Sequence, residues 1–533
     1  MRIVDIIDNM PKINKGIITY DSEDWLAGLH PQYSTSFNLQ TGFSDFANMN
    51  AMNPYRYLGN LTCGRNHTAV TNASTVMTNY ICQGVNNGEY GYLIERGAKL
   101  HQLNTATHTL LNDTAGVGFP HTISHGGHTG ITGEDTIIYK TNVSSTLTSM
   151  CFYSFRDNTD WDIGFHNMNT TTCVFDDDFM STVPANFATF AALIASGKSY
   201  PHPMVVGADD ILYFGDRNYV HGFDGQTGAD GTFYTSILTL PSEYTVIGFA
   251  KLAPKTLAIF TTTNQPSVGS SVRGKVVVWF WNYLDLDPFD IKTIDENYVT
   301  ACFEYKGTIG CLCHGRSTYN KLYLFNGTSF EEATRFGGNY VEYGGVNVLG
   351  DEIQFLSGGK VYSYGNQFGL KPVLNAIEQM TYNDGASGSG FLRTFYSSSG
   401  DYVSTSTKNF QYYNDGTVDG TASPSACSFY TSYTPLGKIR VKKIRIYFAK
   451  ISSGTGLTLY LGSYNGTEYE VIHELATITT QNLVVTQTRD TSGNLFPELD
   501  GLYLHGIYNG GSGTSTAPII NKIEIEYDPV EFI

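Results

Sequence analysis

The stretch Asp209–Leu238 reads as strand, tight turn, strand, tight turn, strand. Ile211–Phe214 is a short apolar-aromatic run, and Gly215–Asn218 interrupts it. Tyr219–Phe223 resumes it, and Asp224-Gly225 interrupts it again. Runs of this length bounded by Gly, Asn and Asp mark hairpins, because those residues take positive φ at low cost. The middle of the stretch has echoes. Arg217–Asp224 (RNYVHGFD) aligns with Gly97–Asn104 (GAKLHQLN), Tyr319–Asn326 (YNKLYLFN) and Gly358–Gly365 (GGKVYSYG), and less closely with Arg273–Val276 and Ser399–Val403. With Leu100, Val220, Val276, Leu322, Val361 and Val403 as anchors, copies from Val220 onward recur every roughly 40–55 residues. Ile138 in GEDTIIYKTN marks a further period between Leu100 and Val220.

A unit of this length repeated along a chain is the blade of a β-propeller. The expectation is therefore an all-β chain with an irregular β-propeller of six to eight blades, against an irregular β protein made of ordinary hairpins. Composition agrees with many short strands. Charged residues are 15%, Tyr reaches 37 and Gly 56, and long helical patterns are missing. Low charge with abundant Tyr also suits surfaces that meet other protein surfaces, where aromatic residues are enriched and Lys and Glu depleted.

The net charge of −17 argues against general adhesion to nucleic acid or anionic membrane. It is compatible with an acidic channel through which DNA slides. MRIVDIIDNMPKINKG lacks the basic and continuous apolar regions of a signal peptide. No window approaches about 18 uninterrupted apolar residues, so no membrane insertion is expected. Eight cysteines are scattered without paired CxxC spacing, which favours free buried thiols over zinc. Cys311 and Cys313, two apart, share a face if they lie on a strand.

Along the chain, residues 1–60 read as an arm with few clear strands, and residues 61–420 carry the propeller rhythm. Within the latter, Pro184–Ser196 is one convincing helical insertion: Phe187, Phe190, Ala191 and Ile194 form an apolar face, with Pro184 at the start and Gly197 at the stop. A boundary near Thr421–Ser425 precedes a C-terminal β-sandwich over 425–533. Its strongest strand is Gly437–Lys450, where the apolar phase switches at Lys442-Lys443 and implies a β-bulge. Asn465-Gly466 and Asn326-Gly327 are hairpin turns.

Candidate chemistry is sparse. His121, His125 and His128 could hold a transition metal, but their Gly-rich stretch lacks a frame that fixes ligand geometry. Phe175–Phe179 (FDDDF) and Asp285–Asp290 (DLDPFD) offer carboxylates of the kind used in glycoside hydrolysis, or merely acidic turns. Asp224–Gly231 lacks the distal Glu of an EF-hand loop. No nucleophile elbow, P-loop or dinucleotide fingerprint is present. The reading assigns no catalytic residue, cofactor or metal. One basic cluster, Lys438, Arg440, Lys442, Lys443 and Arg445 with Lys450, is a docking patch for an acidic neighbour, a phosphate contact or a solvated strand face.

Asn48–Gly64 (NMNAMNPYRYLGNLTCG), blade pieces such as ILYFGDRNYVHGFDGQTG and KLYLFNGTSFEE, and the closing KKIRIYF, TLYLGSYNGTEYEVI and KIEIEYDP together resemble the β-propeller tail proteins of tailed bacteriophages, the DNA-stabilisation (tail-stopper) and tail-nozzle class. The resemblance is architectural and transfers no individual residue. It implies a non-enzymatic virion protein, made in the host cytoplasm, that forms a homo-oligomeric ring in the neck or tail. Its partners would be other neck and tail proteins, with genomic DNA passing through without specific binding. The alternatives are a receptor-binding or fibre-associated module, and a carbohydrate-active propeller hydrolase.

Overall fold

Leu212–Asp216, Tyr219–Asp224 and Thr232–Thr239 are the three strands that the opening stretch predicts, and Met204–Val206 pairs in front of them to complete a four-stranded antiparallel sheet. Arg217, at the first tight turn, takes a φ of 52°. This unit recurs. Four consecutive strands build each of five sheets, spanning 133–176, 204–239, 244–294, 298–336 and 346–379. In succession the leading strands touch: Gly133–Thr141 meets Met204–Val206, which meets Tyr244–Lys251, then Tyr298–Tyr305, then Val346–Leu349. This is a β-propeller arrangement.

In this computed structural model the described residues are 16–21, 25, 46–50, 52, 60–61, 67–77, 81–86, 90–95, 99–112, 121–122, 133–141, 149–156, 161–167, 175–176, 202–224, 232–252, 255–263, 274–314, 320–336, 346–357, 360–365, 372–379, 393–397, 400–405, 409–413, 428–431, 433–450, 455–463, 465–472, 483–510 and 519–530. The helix expected at 184–196 and the boundary at 421–425 lie outside them.

The blade count differs from the expectation of six to eight. Five blades are regular, each made from four consecutive strands. The remaining repeats are not continuous in the same way. Ile81–Asn86, Tyr90–Glu95, Lys99–Asn104 and the two-residue Thr109–Leu110 form a sheet that also takes His121–Thr122. Arg393–Ser397, Gly400–Thr405 and Asn409–Tyr413 take their fourth strand, His67–Ala69, from far upstream. Of the six anchors, Leu100, Val220, Val276, Leu322 and Val361 fall on third strands. Val403 falls on a second strand and Ile138 on a first. The echo thus marks the most buried hairpin of a blade, and it slips where the blade is composite.

The strand Val276–Trp281 (VVVWFW) shows why these blades need apolar runs rather than alternation. Every residue is buried. Val276, Val278 and Phe280 pack with Val299, Ile309 and Phe325 of the following blade. Val277, Trp279 and Trp281 pack with Val220, Leu238 and Tyr213 of the preceding one. Successive side chains point to opposite faces, and both faces are covered. Each such side chain contributes about 1.5–3 kcal/mol of apolar burial.

The chain divides into two compact units. One is Thr68–Gly359 with Tyr382–Tyr412; the other is Met1–His67, Lys360–Thr381 and Tyr413–Ile533. A separate β-sandwich over 425–533 is not shown by the pairing. A single nine-stranded sheet runs Ile17–Tyr20, Ile519–Pro529, Thr434–Lys450, Glu498–Gly510, Ser428–Thr431, Phe46–Asn50, with Thr455–Gly462, Glu468–Ile472 and Val484–Gln487 attached off that path. The reason is strand length. Thr434–Lys450 has 17 residues and Glu498–Gly510 has 13, so each pairs with different neighbours at its two ends and links all nine strands in one pairing network.

The N-terminal segment read as an arm supplies strands of this same sheet. Ile17–Tyr20 pairs with Ile523–Glu526. Leu61 and Ile520 exchange both backbone hydrogen bonds, at 2.8 and 2.9 Å. Trp25 is fully buried and its Nε1 donates to Asn521 O at 3.0 Å. The expected bulge is present: Val441 pairs with Tyr527 and Lys443 with Glu526, with the register shifting between them. Ile439 and Val441 are buried before it, and Ile444, Ile446 and Phe448 after it.

Candidate functional site

Between the buried strand Val276–Trp281 and the outer strand Asp290–Ile294 runs Asn282-Tyr283-Leu284-Asp285-Leu286-Asp287-Pro288-Phe289. It carries an unusual concentration of exposed apolar side chains. Leu284 is 86% exposed, Leu286 83%, Phe289 58% and Ile291 50%. Full burial of one such side chain is worth about 1.5–3 kcal/mol, so a cluster of four left in water needs an explanation other than folding. Exposed clusters of this kind mark sites where another surface docks.

The loop is held in place by its own polar atoms. Asn282 Oδ1 accepts from the backbone of Leu284 at 3.1 Å and of Asp285 at 3.0 Å, an Asx turn. Asn282 Nδ2 donates to Asp285 Oδ2 at 2.6 Å, and Trp281 Nε1 donates to Asp285 O at 2.6 Å. Phe289 N returns to Phe280 O at 2.9 Å. Tyr283 turns the chain with a φ of 68°. Its ring lies 5.5 Å from that of Tyr213 and 5.6 Å from that of Trp281, and burial pushes its phenol up to about 12. Leu284 and Leu286 are therefore presented by a turn whose ends are tied to the blade.

Of the DLDPFD carboxylates considered for hydrolysis on sequence, Asp285 is a turn former and Asp290 an ion partner here. Asp285 is engaged by Asn282. Asp290 caps Ile291 N at 2.8 Å and meets Lys292 Nζ at 2.9 Å, which holds its carboxyl below the usual range. What the sequence reading missed is the alternation itself. Leu-Asp-Leu-Asp inside a loop places large apolar groups where Gly, Ser or Asn is usual, and this was the available signal.

The basic cluster is brought together as expected, but each cation faces a carboxylate. Lys438 lies 3.6 Å from Glu498, which Arg440 also engages. Lys442 is 2.5 Å from Asp528, and Lys443 is 3.8 Å from Glu526. Arg445 reaches Glu524 at 3.6 Å and Glu526 at 3.4 Å. Lys522 pairs with Glu524 at 2.6 Å and sits 4.4 Å over the Tyr447 ring. Burial would raise the Glu524 carboxyl, yet Lys522, Tyr447 and Arg445 hold it below its ordinary value. With Asp500 opposite Lys438 and Asp21 acting on Lys522, the cluster is a cross-strand ladder in which cations and carboxylates balance.

A second polar theme runs through the blades. The residue after the anchor is His101, His221 or Tyr323, and each meets a buried acid. His101 Nε2 is 2.5 Å from Glu95 Oε2. His221 Nε2 is 4.0 Å from Asp216, and its Nδ1 accepts from Ser236 N at 2.9 Å. Tyr323 donates to Glu296 at 2.7 Å beside Lys321 at 2.5 Å. These acids are almost wholly buried: the two histidine pairs clamp hairpins, and Glu296, on the connection between Asp290–Ile294 and Tyr298–Tyr305, holds Tyr323 and Lys321.

Of the three-histidine stretch, His121 pairs through its backbone with Leu100, and His125 and His128 lie outside the described residues. So do Asp177, Asp178 and Gly225–Asp230. Among the described residues no group of three or more His, Cys, Asp or Glu is placed to hold a metal, and no helix is long and apolar enough to cross a membrane. Cys311 and Cys313 share a buried face with their sulfurs 3.7 Å apart, and with Cys302 they are free thiols.

No family model matches the chain, and no curated protein matches it. Among solved structures it is similar to the Dos1 propeller, at 11% identity and a TM-score of 0.41, covering 67% of this chain and 96% of that one. It is also similar to the computationally designed Ika8 protein, at 8% identity and a TM-score of 0.36, covering 66% of this chain and 99% of that one.

Proposed function

We propose that this chain is a structural assembly protein, a ring-forming component of the neck or tail of a tailed-phage virion. The observation that carries the assembly reading is the tied loop 282–291, which spends four large apolar side chains on solvent. The virion assignment comes from the resemblance of the blade and closing-strand sequences. In this reading the propeller supplies a rigid body, and the acidic net charge of −17 lets DNA pass a channel with little adhesion.

The reading includes a propeller of seven blades, in which the two composite sheets complete the ring. It is supported by contacts of Ile81–Asn86 with both Gly133–Thr141 and Arg393–Ser397, and of Arg393–Ser397 with Val346–Leu349. It also treats the nine-stranded sheet as two layers joined through its long strands. Each half carries a buried row, Ile444, Ile446 and Phe448 in one and Leu457, Leu459 and Leu461 in the other.

The test is immunogold electron microscopy on particles from the source lysate with antibody to this chain. Label at the neck or tail is the expected result, and its position separates connector or nozzle from fibre. Absence of label on every particle sinks the virion reading.

A further inference from the structure

The thiols of the blade 298–336 are set in a ladder whose geometry follows from its turn. Lys306 and Gly307 take φ values of 49° and 76°. They are the two-residue connection between Tyr298–Tyr305 and Thr308–His314, and two successive positive φ values make it a type I′ hairpin turn. The residues flanking such a turn, Tyr305 and Thr308, are a hydrogen-bonded pair. Hydrogen-bonded and non-hydrogen-bonded pairs then alternate along an antiparallel ladder. The register runs unbroken from Tyr305 opposite Thr308 to Cys302 opposite Cys311, so the two cysteines are a non-hydrogen-bonded pair. The Cα atoms of such a pair lie about 4.5 Å apart with their side chains drawn together, inside the roughly 4.4–6.8 Å that a disulfide spans. Cys313 stands opposite Val299. Its sulfur lies 3.7 Å from that of Cys311, but residues two apart on one strand are about 6.8 Å apart with parallel Cβ bonds. That spacing keeps their Cβ atoms well beyond the roughly 3.8 Å of a disulfide.

We propose that Cys302 and Cys311 are an oxidisable pair that forms a cross-strand disulfide when a low-molecular-weight disulfide such as oxidised glutathione is the oxidant. Cys302 is half-buried and Cys311 fully buried, so Cys302 reacts first. Its thiolate attacks one glutathione sulfur and expels the other glutathione as a thiolate, leaving a mixed disulfide. The Cys311 thiolate then attacks the Cys302 sulfur and expels the second glutathione. The two thiol protons of the protein end on the two glutathiones; two thiols are oxidised and one disulfide is reduced. Rotation about χ1 brings the sulfurs together. Burial pushes the Cys302 thiol up to about 12, so little thiolate exists at neutral pH and the exchange is slow. In the reduced chain Cys302 Sγ donates to Phe249 O of the preceding blade at 3.4 Å. It sits where a Cβ on Gly248 would lie 2.3 Å away. Oxidation therefore exchanges a tie between two blades for a bond within one.

The experiment is oxidation of the folded full chain with oxidised glutathione, then alkylation with N-ethylmaleimide, tryptic digestion and mass spectrometry without reduction. Circular dichroism before and after oxidation checks that the chain stays folded. Trypsin cuts after Lys292, Lys306 and Arg316, which places Cys302 in Thr293–Lys306 (TIDENYVTACFEYK) and both Cys311 and Cys313 in Gly307–Arg316 (GTIGCLCHGR). The expected product is these two peptides joined, with maleimide on Cys313, and dithiothreitol separates them. The C313S variant keeps the joined species and C311S loses it. If a variant does not fold, fragmentation of the joined wild-type peptides assigns the linked sulfur by the position of the maleimide. Two separate peptides with no link, an internal Cys311–Cys313 link in Gly307–Arg316, or a link from Cys302 to Cys313 overturns the proposal.

Discussion

Glu95 Oε2 and His101 Nε2 lie 2.5 Å apart, and neither side chain has any exposure to solvent. They sit on paired strands, Tyr90–Glu95 and Lys99–Asn104, with Glu95 opposite Lys99 and Leu93 opposite His101. Removing Glu95 leaves the buried His101 ring without its acid in a low-dielectric interior. Glu95→Ala is expected to cost about 3–5 kcal/mol, whereas Glu95→Leu with His101→Phe costs much less than the two single changes added. Urea unfolding of the four species of this double-mutant cycle reads the coupling directly, and additive losses would contradict it.

Asp216 ties acid stability to its own blade. Burial raises its carboxyl, but His221, His202 and Arg217 outweigh that and hold it below the ordinary value. A group depressed in the folded state stabilises above its unfolded pKa of about 3.9, and the contribution fades as pH falls through the folded value. Asp216→Asn therefore flattens the acid side of melting temperature against pH. An unchanged slope between pH 5 and the acid transition, at about the carboxylate range, would remove Asp216 from the account.

Trp279 Nε1 donates to Thr261 Oγ1 at 2.9 Å, and that hydroxyl donates onward to Val277 O at 2.9 Å. Thr261→Val keeps the shape and orphans the indole N–H, a loss of about 1–3 kcal/mol. Thr261→Ser keeps the hydroxyl and is expected to lose less. Thermal unfolding followed by tryptophan fluorescence separates the two.

Gly462 pairs with Tyr503, and a Cβ added to it would lie 1.9 Å from the ring carbon Cζ. Gly462→Ala forces the phenol off its seat, at about 1–3 kcal/mol. Tyr503→Leu is expected to make the same glycine change cheaper. Equal losses in both backgrounds would show that the ring is not the obstacle.

The basic ladder behaves differently. Arg440 is 58% exposed and Glu498 32%, so solvent screens the pair. Arg440→Ala is expected to leave the urea midpoint nearly unchanged, and any shift shrinks further in high salt. A larger, salt-resistant loss would indicate a buried network.

Much of the propeller was readable from the chain because its units are local. A blade hairpin needs an apolar run, a turn residue and a second run, all within about a dozen residues. Leu212–Asp216 and Tyr219–Asp224, the Asn326-Gly327 and Asn465-Gly466 turns and the bulge at Lys442-Lys443 all follow from such neighbours. The column holding His101, His221 and Tyr323 was visible in the repeat alignment, although the acids that meet it were not. The docking loop was legible as acidic turn chemistry only. Leu284 and Leu286 would ordinarily be read as interior residues, and nothing in their spacing says that Asn282 and Trp281 turn them outward.

The sequence alone determined the all-β class, the blade hairpins and the phase of the strongest strand, because periodicity, turn propensity and apolar content act between near neighbours. Tertiary structure decided that Ile17–Tyr20 pairs with Ile523–Glu526, that His67–Ala69 completes the sheet of Arg393–Tyr413, and that the basic strand faces Glu498, Glu524, Glu526 and Asp528. Those choices are made between segments hundreds of residues apart. Strand edges offer the same backbone donors and acceptors to many partners, and only simultaneous burial and charge pairing across the whole assembled sheet selects one.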